Sequence, residues 1–142
     1  MIYADTNVLL SLLCEDDLSD AADAWYRDVE QPVAISLWCV IEFRSNIGLR
    51  VRKRLLSRVK GQAAISELDQ LTRASLHALI PTEGDFAKAR DWLASPACAL
   101  RSGDALHLAI AFGHGCVDFV SFDRPLNAAA RKLGLPVRIL CA

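Results

Sequence analysis

The chain has 142 residues, is 53% hydrophobic and 23% charged, and carries a net charge of −1. This length suits one domain spanning residues 1–142, and such a domain buries roughly 70% of its unfolded surface, so it requires neither disulfides nor a structural metal. No stretch approaches the roughly 18 uninterrupted apolar residues of a membrane helix, and the apolar start lacks a basic leader and holds an acid at Asp5, which argues against a signal peptide.

The five cysteines, at 14, 39, 98, 116 and 141, form no C-x-x-C pair. An odd, unpatterned set reads as the reduced thiols of a cytoplasmic protein. Charge is unevenly spread. Seven basic residues and no acid lie between Arg44 and Lys60, whereas Glu15 to Glu30 is strongly acidic. Two readings stand side by side, solvated helix faces and a patch that faces nucleic acid.

In chain order, residues 2–5 read as a short buried strand, followed by helices over 7–13 and 19–29. A second strand, 33–36, follows Pro32. A long helix is expected from Trp38 to Val59, and Gly61 opens the next, to about Arg73. Residues 76–80 form a third strand closed by Pro81, with helices over 83–94 and 103–112. Gly113 and Gly115 flank His114 as a helix stop and turn. A fourth strand spans 117–122, a helix 125–133 and a fifth strand 137–140. Strands alternating with helices predict an α/β fold in three layers, a mostly parallel five-stranded sheet covered on both faces. Ligands of such sheets bind beyond the carboxyl ends of the strands.

Of the seventeen acidic residues, thirteen lie in polar segments, at helix starts or in turns. The other four are forced toward apolar surroundings. Asp5 ends the first strand. Glu42, in Leu37-Trp38-Cys39-Val40-Ile41-Glu42-Phe43, shares a helical stripe with Trp38, Ile41, Ser45 and Leu49, read as the inward one. Asp104 opens Gly103-Asp104-Ala105-Leu106-His107, and Asp123 follows the fourth strand. Asp5, Asp104 and Asp123 each have an alternative as helix caps. Glu42 does not cap anything, and a carboxylate on an apolar stripe is costly unless paired. Asp5 and Asp123 fall at carboxyl ends of strands, and Glu42 lies one to two turns into the helix that starts at the same edge.

Carboxylates gathered in one pocket repel by on the order of 4 kcal/mol per pair at about 4 Å, so the cluster persists only with a cation or shared protons. Oxygen ligands without Cys or His suit Mg²⁺, with Mn²⁺ as a substitute. Such a site polarises a phosphate and activates water for in-line attack.

With these residues in place, the chain resembles the PIN-domain family, and more narrowly the VapC-type toxins of toxin–antitoxin pairs. The resemblance covers essentially the whole chain. It rests on Asp5-Thr6-Asn7, on Glu42, on Gly103-Asp104-Ala105-Leu106-His107-Leu108-Ala109, and on Ser121-Phe122-Asp123-Arg124 with Leu126, Ala129 and Gly134-Leu135 downstream. It implies a sheet in the order 3-2-1-4-5 and Mg²⁺-dependent cleavage of single-stranded RNA. Asp5 and Asp104 would be the principal metal ligands, Glu42 a further ligand or the group orienting the attacking water, and Asp123 the completing acid. Thr6 and Ser121 would orient these carboxylates through their hydroxyls; family members more often carry Thr where this chain has Ser121. The family also implies a homodimer and a cognate antitoxin that fills the active-site groove.

Arg44 is the expected phosphate contact. His107 reads as a hydrogen-bonded core histidine rather than a catalytic base, and Trp25, Trp38 and Trp92 as core or interface rather than base-stacking platforms. Leu9, Leu10, Leu12 and Leu13 read either as core or as part of an antitoxin groove. Two other functions compete. A phosphohydrolase of the haloacid-dehalogenase type needs a second Asp two residues after the first, where this chain has Asn7. A non-catalytic, nucleic-acid-binding regulator should have lost one or more of the four acids, and none is missing.

Overall fold

A computed structural model describes residues 1–95 and 99–140. Cys98 and Cys141 lie outside the described residues; Cys14, Cys39 and Cys116 are free and buried. The chain runs β1 (Ile2–Ala4), α1 (Thr6–Leu13), α2 (Ser19–Asp28), β2 (Val33–Ser36), α3 (Leu37–Arg52), α4 (Arg58–Ala74), β3 (His77–Leu79), α5 (Glu83–Leu93), α6 (Ser102–Gly113), β4 (Asp118–Ser121), α7 (Arg124–Lys132) and β5 (Val137–Ile139). The five strands form one sheet in the order β3-β2-β1-β4-β5. Every pairing is parallel, with Tyr3 opposite Ala34 on one side and Phe119 on the other.

The three inner strands, β1, β2 and β4, are almost wholly buried, whereas β3 and β5 at the edges are largely exposed. That pattern belongs to a parallel sheet covered on both faces, whose inner strands need apolar residues at consecutive positions. With this strand order, crossovers of the usual right hand require α1–α4 on one face of the sheet and α5–α7 on the other. The contacts of α1 with α2 and of α3 with α4, and the packing of α5 on α6, follow this division. Among the described residues no helix is long and apolar enough to cross a membrane.

Three local expectations need correction. The helix expected over Trp38 to Val59 ends at Arg52. Arg54 takes a left-handed conformation at φ 58, and Ser57 starts α4 by accepting from the Lys60 N–H at 3.2 Å. The chain can thus fold α4 back onto α3. Gly61 does not open that helix but lies inside it, where a Cβ would meet the Ile47 and Val51 methyls at 3.1 Å; its smallness permits the close approach. The inward stripe of α3 is also one residue away from that expected. Cys39, Phe43 and Ile47 are buried, while Ile41 is 60% and Leu49 41% exposed. Glu42 therefore sits on the flank of the helix, where its carboxylate reaches water.

Candidate active site

Asp5 and Asp123 follow β1 and β4, Glu42 and Asp104 lie in α3 and α6, and all four line one pocket of about 420 Å³ at the carboxyl edge of the sheet. Parallel strands all end on that edge, so the residues following β1 and β4 arrive there together. The helices α3 and α6 begin at it and present Glu42 from the second turn and Asp104 from the first.

Capping and clustering turn out to be compatible roles. Asp5 is the N-cap of α1, accepting from the Thr6 N–H at 2.6 Å, while its other oxygen accepts from Ser121 Oγ at 2.8 Å. Asp123 caps α7 through the Leu126 N–H at 2.9 Å and still turns its second oxygen into the pocket. Thr6 Oγ1 donates to Glu42 Oε2 at 2.7 Å. Ser121 Oγ also accepts from Asn7 Nδ2 at 2.9 Å and from the Asp123 N–H at 3.0 Å. Asn7 Oδ1 in turn accepts from the Phe122 N–H at 3.1 Å, so the Asn7 side chain joins the start of α1 to the end of β4.

Two groups in the pocket exceed what the sequence reading allotted them. His107 is buried and hydrogen-bonded, as a core histidine would be, but its partners belong to the acidic cluster. Its Nε2 stands 2.7 Å from Glu42 Oε2 and 3.3 Å from Asp5 Oδ1. The signal was its position one helical turn beyond Asp104, on the same face. Arg101 was not singled out at all. Its Nε lies 3.2 Å from Asp104 Oδ2 and its Nη2 3.5 Å from Asp123 Oδ2, and its side chain is 82% exposed. The usable signal was the same spacing in the other direction, three residues before Asp104. Trp38 lines the pocket too, and its indole N–H is buried with no hydrogen-bond partner among the described residues.

Arg44, the expected phosphate contact, is not part of this pocket. Its guanidinium bonds both oxygens of Asp69 at 2.8 Å, and it borders a separate cleft with Ile47, Gly48, Val51 and Gly61. One acid taken as ordinary, Asp85, is buried at 3% exposure and bonds Thr82 in the cap of α5. Trp25 is buried in the core, and Trp92 lies edge-on to Phe112 beneath Lys88.

The electrostatics separate the acids. Burial raises the Asp5 carboxyl above its ordinary value, against the pull of His107 and Ser121. Burial acts on Glu42 as well, but there the hydrogen bond and charge of His107, with help from Thr6 and the neighbouring Trp38, prevail and its pKa is lowered. For His107 itself burial opposes the charged form, yet Cys39, Glu42 and Asp5 outweigh it, and its pKa stands well above that of an ordinary histidine.

The donor set suits a divalent cation. Carboxylate oxygens of Asp5 and Glu42 lie within 4.8 Å of each other, with a ring nitrogen of His107 within the same distance of both. The absence of a side chain at Gly103 keeps the space in front of Glu42 clear, since a Cβ there would lie 2.9 Å from Oε1.

A family model for the PIN domain matches residues 2–132. The chain belongs to the PIN-domain family. Solved structures agree in fold. VapC20 of Mycobacterium tuberculosis, a Sarcin-Ricin loop cleaving toxin, superposes with a TM-score of 0.73 at 19% identity, over 91% of this chain and 95% of that one. FitAcB from Neisseria gonorrhoeae gives 0.70 at 22% identity, over 96% of each chain. VapBC2 from Rickettsia felis, bound to a DNA fragment from its promoter, gives 0.69 at 17% identity, over 99% of this PIN-domain chain and 100% of that one. Comparison with curated protein sequences yields no match.

Proposed function

We propose that this PIN domain, spanning residues 1–142, is a metal-dependent endoribonuclease and the toxin of a toxin–antitoxin pair. The observation that carries the reading is the convergence of Asp5, Glu42, Asp104 and Asp123 on one pocket. Asp5 and Asp104 would be the principal ligands of Mg²⁺, for which Mn²⁺ may be exchanged in experiments, and Asp123 would complete the set. The bound ion would polarise the scissile phosphate and supply an activated water. Thr6 and Ser121 orient the Glu42 and Asp5 carboxylates through the bonds described above. Glu42, held low in pKa, stays ionised and is suited to orient water or take a place on the metal. Arg101, at the pocket rim, is the cation placed to meet a substrate phosphate.

Several structural neighbours are toxins or toxin–antitoxin complexes, which favours an antitoxin as partner. It would occupy the active-site groove, and a second cleft offers apolar surface for a further part of it. Leu13, Leu55, Leu56, Ala63 and Ala64 line this cleft, and Leu55 is 74% exposed, an apolar surface that suits the face of an amphipathic helix. A homodimer accords with the same family reading.

Neither competing function has an observation in its favour. Asn7, at the position where a dehalogenase-type phosphohydrolase carries its second Asp, is committed by both ends of its amide to β4. A non-catalytic regulator would not need four acids around one pocket. The test is incubation with single-stranded RNA and Mg²⁺, repeated with EDTA and with Asp104→Asn. Cleavage should be lost in both. Cleavage by Asp104→Asn equal to that of the wild type would overturn the assignment.

A further inference from the structure

Behind the acidic pocket lies a buried polar chain that joins it to the core. Tyr3 stands in β1, fully buried, its ring stacked on Phe119 with centroids 5.6 Å apart. Its hydroxyl lies 2.9 Å from His107 Nδ1, 2.8 Å from Ser36 Oγ and 3.3 Å from Cys39 Sγ. At the opposite edge of the imidazole, Nε2 meets Glu42 Oε2 at 2.7 Å and Asp5 Oδ1 at 3.3 Å. Ionised carboxylates only accept hydrogen bonds, so Nε2 carries a proton and donates. Nδ1 pairs with the Tyr3 hydroxyl, accepting from it in the neutral ring and donating to it in the charged one. Ser36 and Cys39, grouped around the same oxygen, hold that hydroxyl in place.

We propose that His107, fixed from behind by the Tyr3 hydroxyl, is a positioning residue that sets the spacing and orientation of the Asp5 and Glu42 carboxylates for the metal. This rests on the metal-dependent reading above. The two acids stand at the N-cap of α1 and in α3, and their like charges drive them apart. Thr6 ties them together from one side, through its N–H to Asp5 and its hydroxyl to Glu42. His107 ties them from the other, out of α6. The geometry argues against direct ligation by His107. Its Nε2 is already engaged by Glu42 Oε2 and Asp5 Oδ1, and Nδ1 points inward to Tyr3, away from the pocket. Partners one step removed from a metal commonly alter its affinity by about 10–100-fold when they are removed.

Mn²⁺ binding to the purified protein decides the matter, measured by calorimetry and by electron paramagnetic resonance on the wild type, Tyr3→Phe, His107→Gln and His107→Leu. His107→Leu should bind Mn²⁺ about 10–100-fold more weakly. His107→Gln, whose terminal amide reaches as far as Nε2, should recover most of that loss. Tyr3→Phe keeps the stacked ring but frees the imidazole, and should weaken binding several-fold. The wild-type signal should show no nitrogen coupling to the bound ion. Wild-type affinity in a folded His107→Leu, or in Tyr3→Phe should His107→Leu not fold, overturns the proposal. Coupling to an imidazole nitrogen also overturns it, by making His107 a ligand. Failure of the wild type to bind Mn²⁺ would instead remove the metal reading on which the proposal stands.

Discussion

Gly103 and Glu42 share one space: a Cβ on residue 103 would lie 2.9 Å from Glu42 Oε1. The carboxylate therefore occupies room that exists only because residue 103 has no side chain. The same glycine lies in the first turn of α6, where its flexibility weakens the helix by roughly 0.5–1 kcal/mol relative to alanine.

These two facts make opposite demands on Gly103→Ala. The Glu42 carboxyl is the end of a flexible side chain and can swing aside, so the fold should tolerate the methyl and its melting temperature should stay level or rise slightly. RNA cleavage should fall at least tenfold, because the displaced carboxylate leaves Thr6 and His107. Full activity together with unchanged melting would show that the placement of Glu42 is immaterial.

Asp5 tests the metal directly. A ligand that binds only the folded state stabilises it by about 2.7 kcal/mol at 100 times its dissociation constant. Wild-type protein should therefore melt higher in Mg²⁺ than in EDTA. Asparagine remains a good helix cap, so Asp5→Asn should fold, and in EDTA it sheds a buried charge. Its melting temperature should be insensitive to Mg²⁺. Equal Mg²⁺-induced shifts in the two proteins, followed by scanning calorimetry, would take Asp5 out of the metal site.

Protonation governs the metal-free protein. The pKa values of Asp5 and His107 are both raised in the folded state, so above the ordinary value of each group that state binds more protons than the unfolded chain, and stability falls as pH rises. For His107 the contribution is complete below about 6.5, the ordinary histidine value, and is lost as pH climbs through the raised one. Glu42, with its lowered pKa, acts at the acid end, where its contribution is lost as pH drops below the ordinary carboxylate range. In EDTA the melting temperature should decline from near neutral pH into the alkaline range, and His107→Leu should flatten that decline. A profile unchanged by His107→Leu would contradict the assignment.

Arg101 separates substrate binding from metal binding. Being 82% exposed, it contributes little to stability through its ion pairs. In the absence of substrate it lies against Asp104 and Asp123 and competes with a cation for them. Arg101→Ala should raise KM for RNA several-fold, while half-maximal activity should need no more Mg²⁺ than before. An unchanged KM with a higher Mg²⁺ requirement would reverse the role given to Arg101.

The layered α/β architecture was legible because a period of two, a period of three to four and turn residues alternate along the chain, and each is a local property. The four acids stood out for a related reason, as polar groups at positions where the pattern called for apolar ones. The inward stripe of α3 was misplaced by one residue because Trp38 and Ile41 suggested burial, while the contacts that decide it, Cys39, Phe43 and Ile47 against the core, come from elsewhere in the chain. The break after Arg52 escaped notice because Lys53 to Ser57 contains neither glycine nor proline to mark it.

By itself, the sequence of this protein determined the order and kind of its elements and the candidates Asp5, Glu42, Asp104 and Asp123, since propensity, periodicity and capping act over a few residues. Only the tertiary structure decided which neighbours those acids keep. It removed Arg44 to a distant pair with Asp69, brought Arg101 to Asp104 and Asp123, and set His107 between Tyr3 and the carboxylates of Asp5 and Glu42. The pairings between elements, separated by 104 residues for Tyr3 and His107 and 116 for Asp5 and Ser121, depend on how parallel strands bring their carboxyl ends to one edge, and no local pattern encodes that.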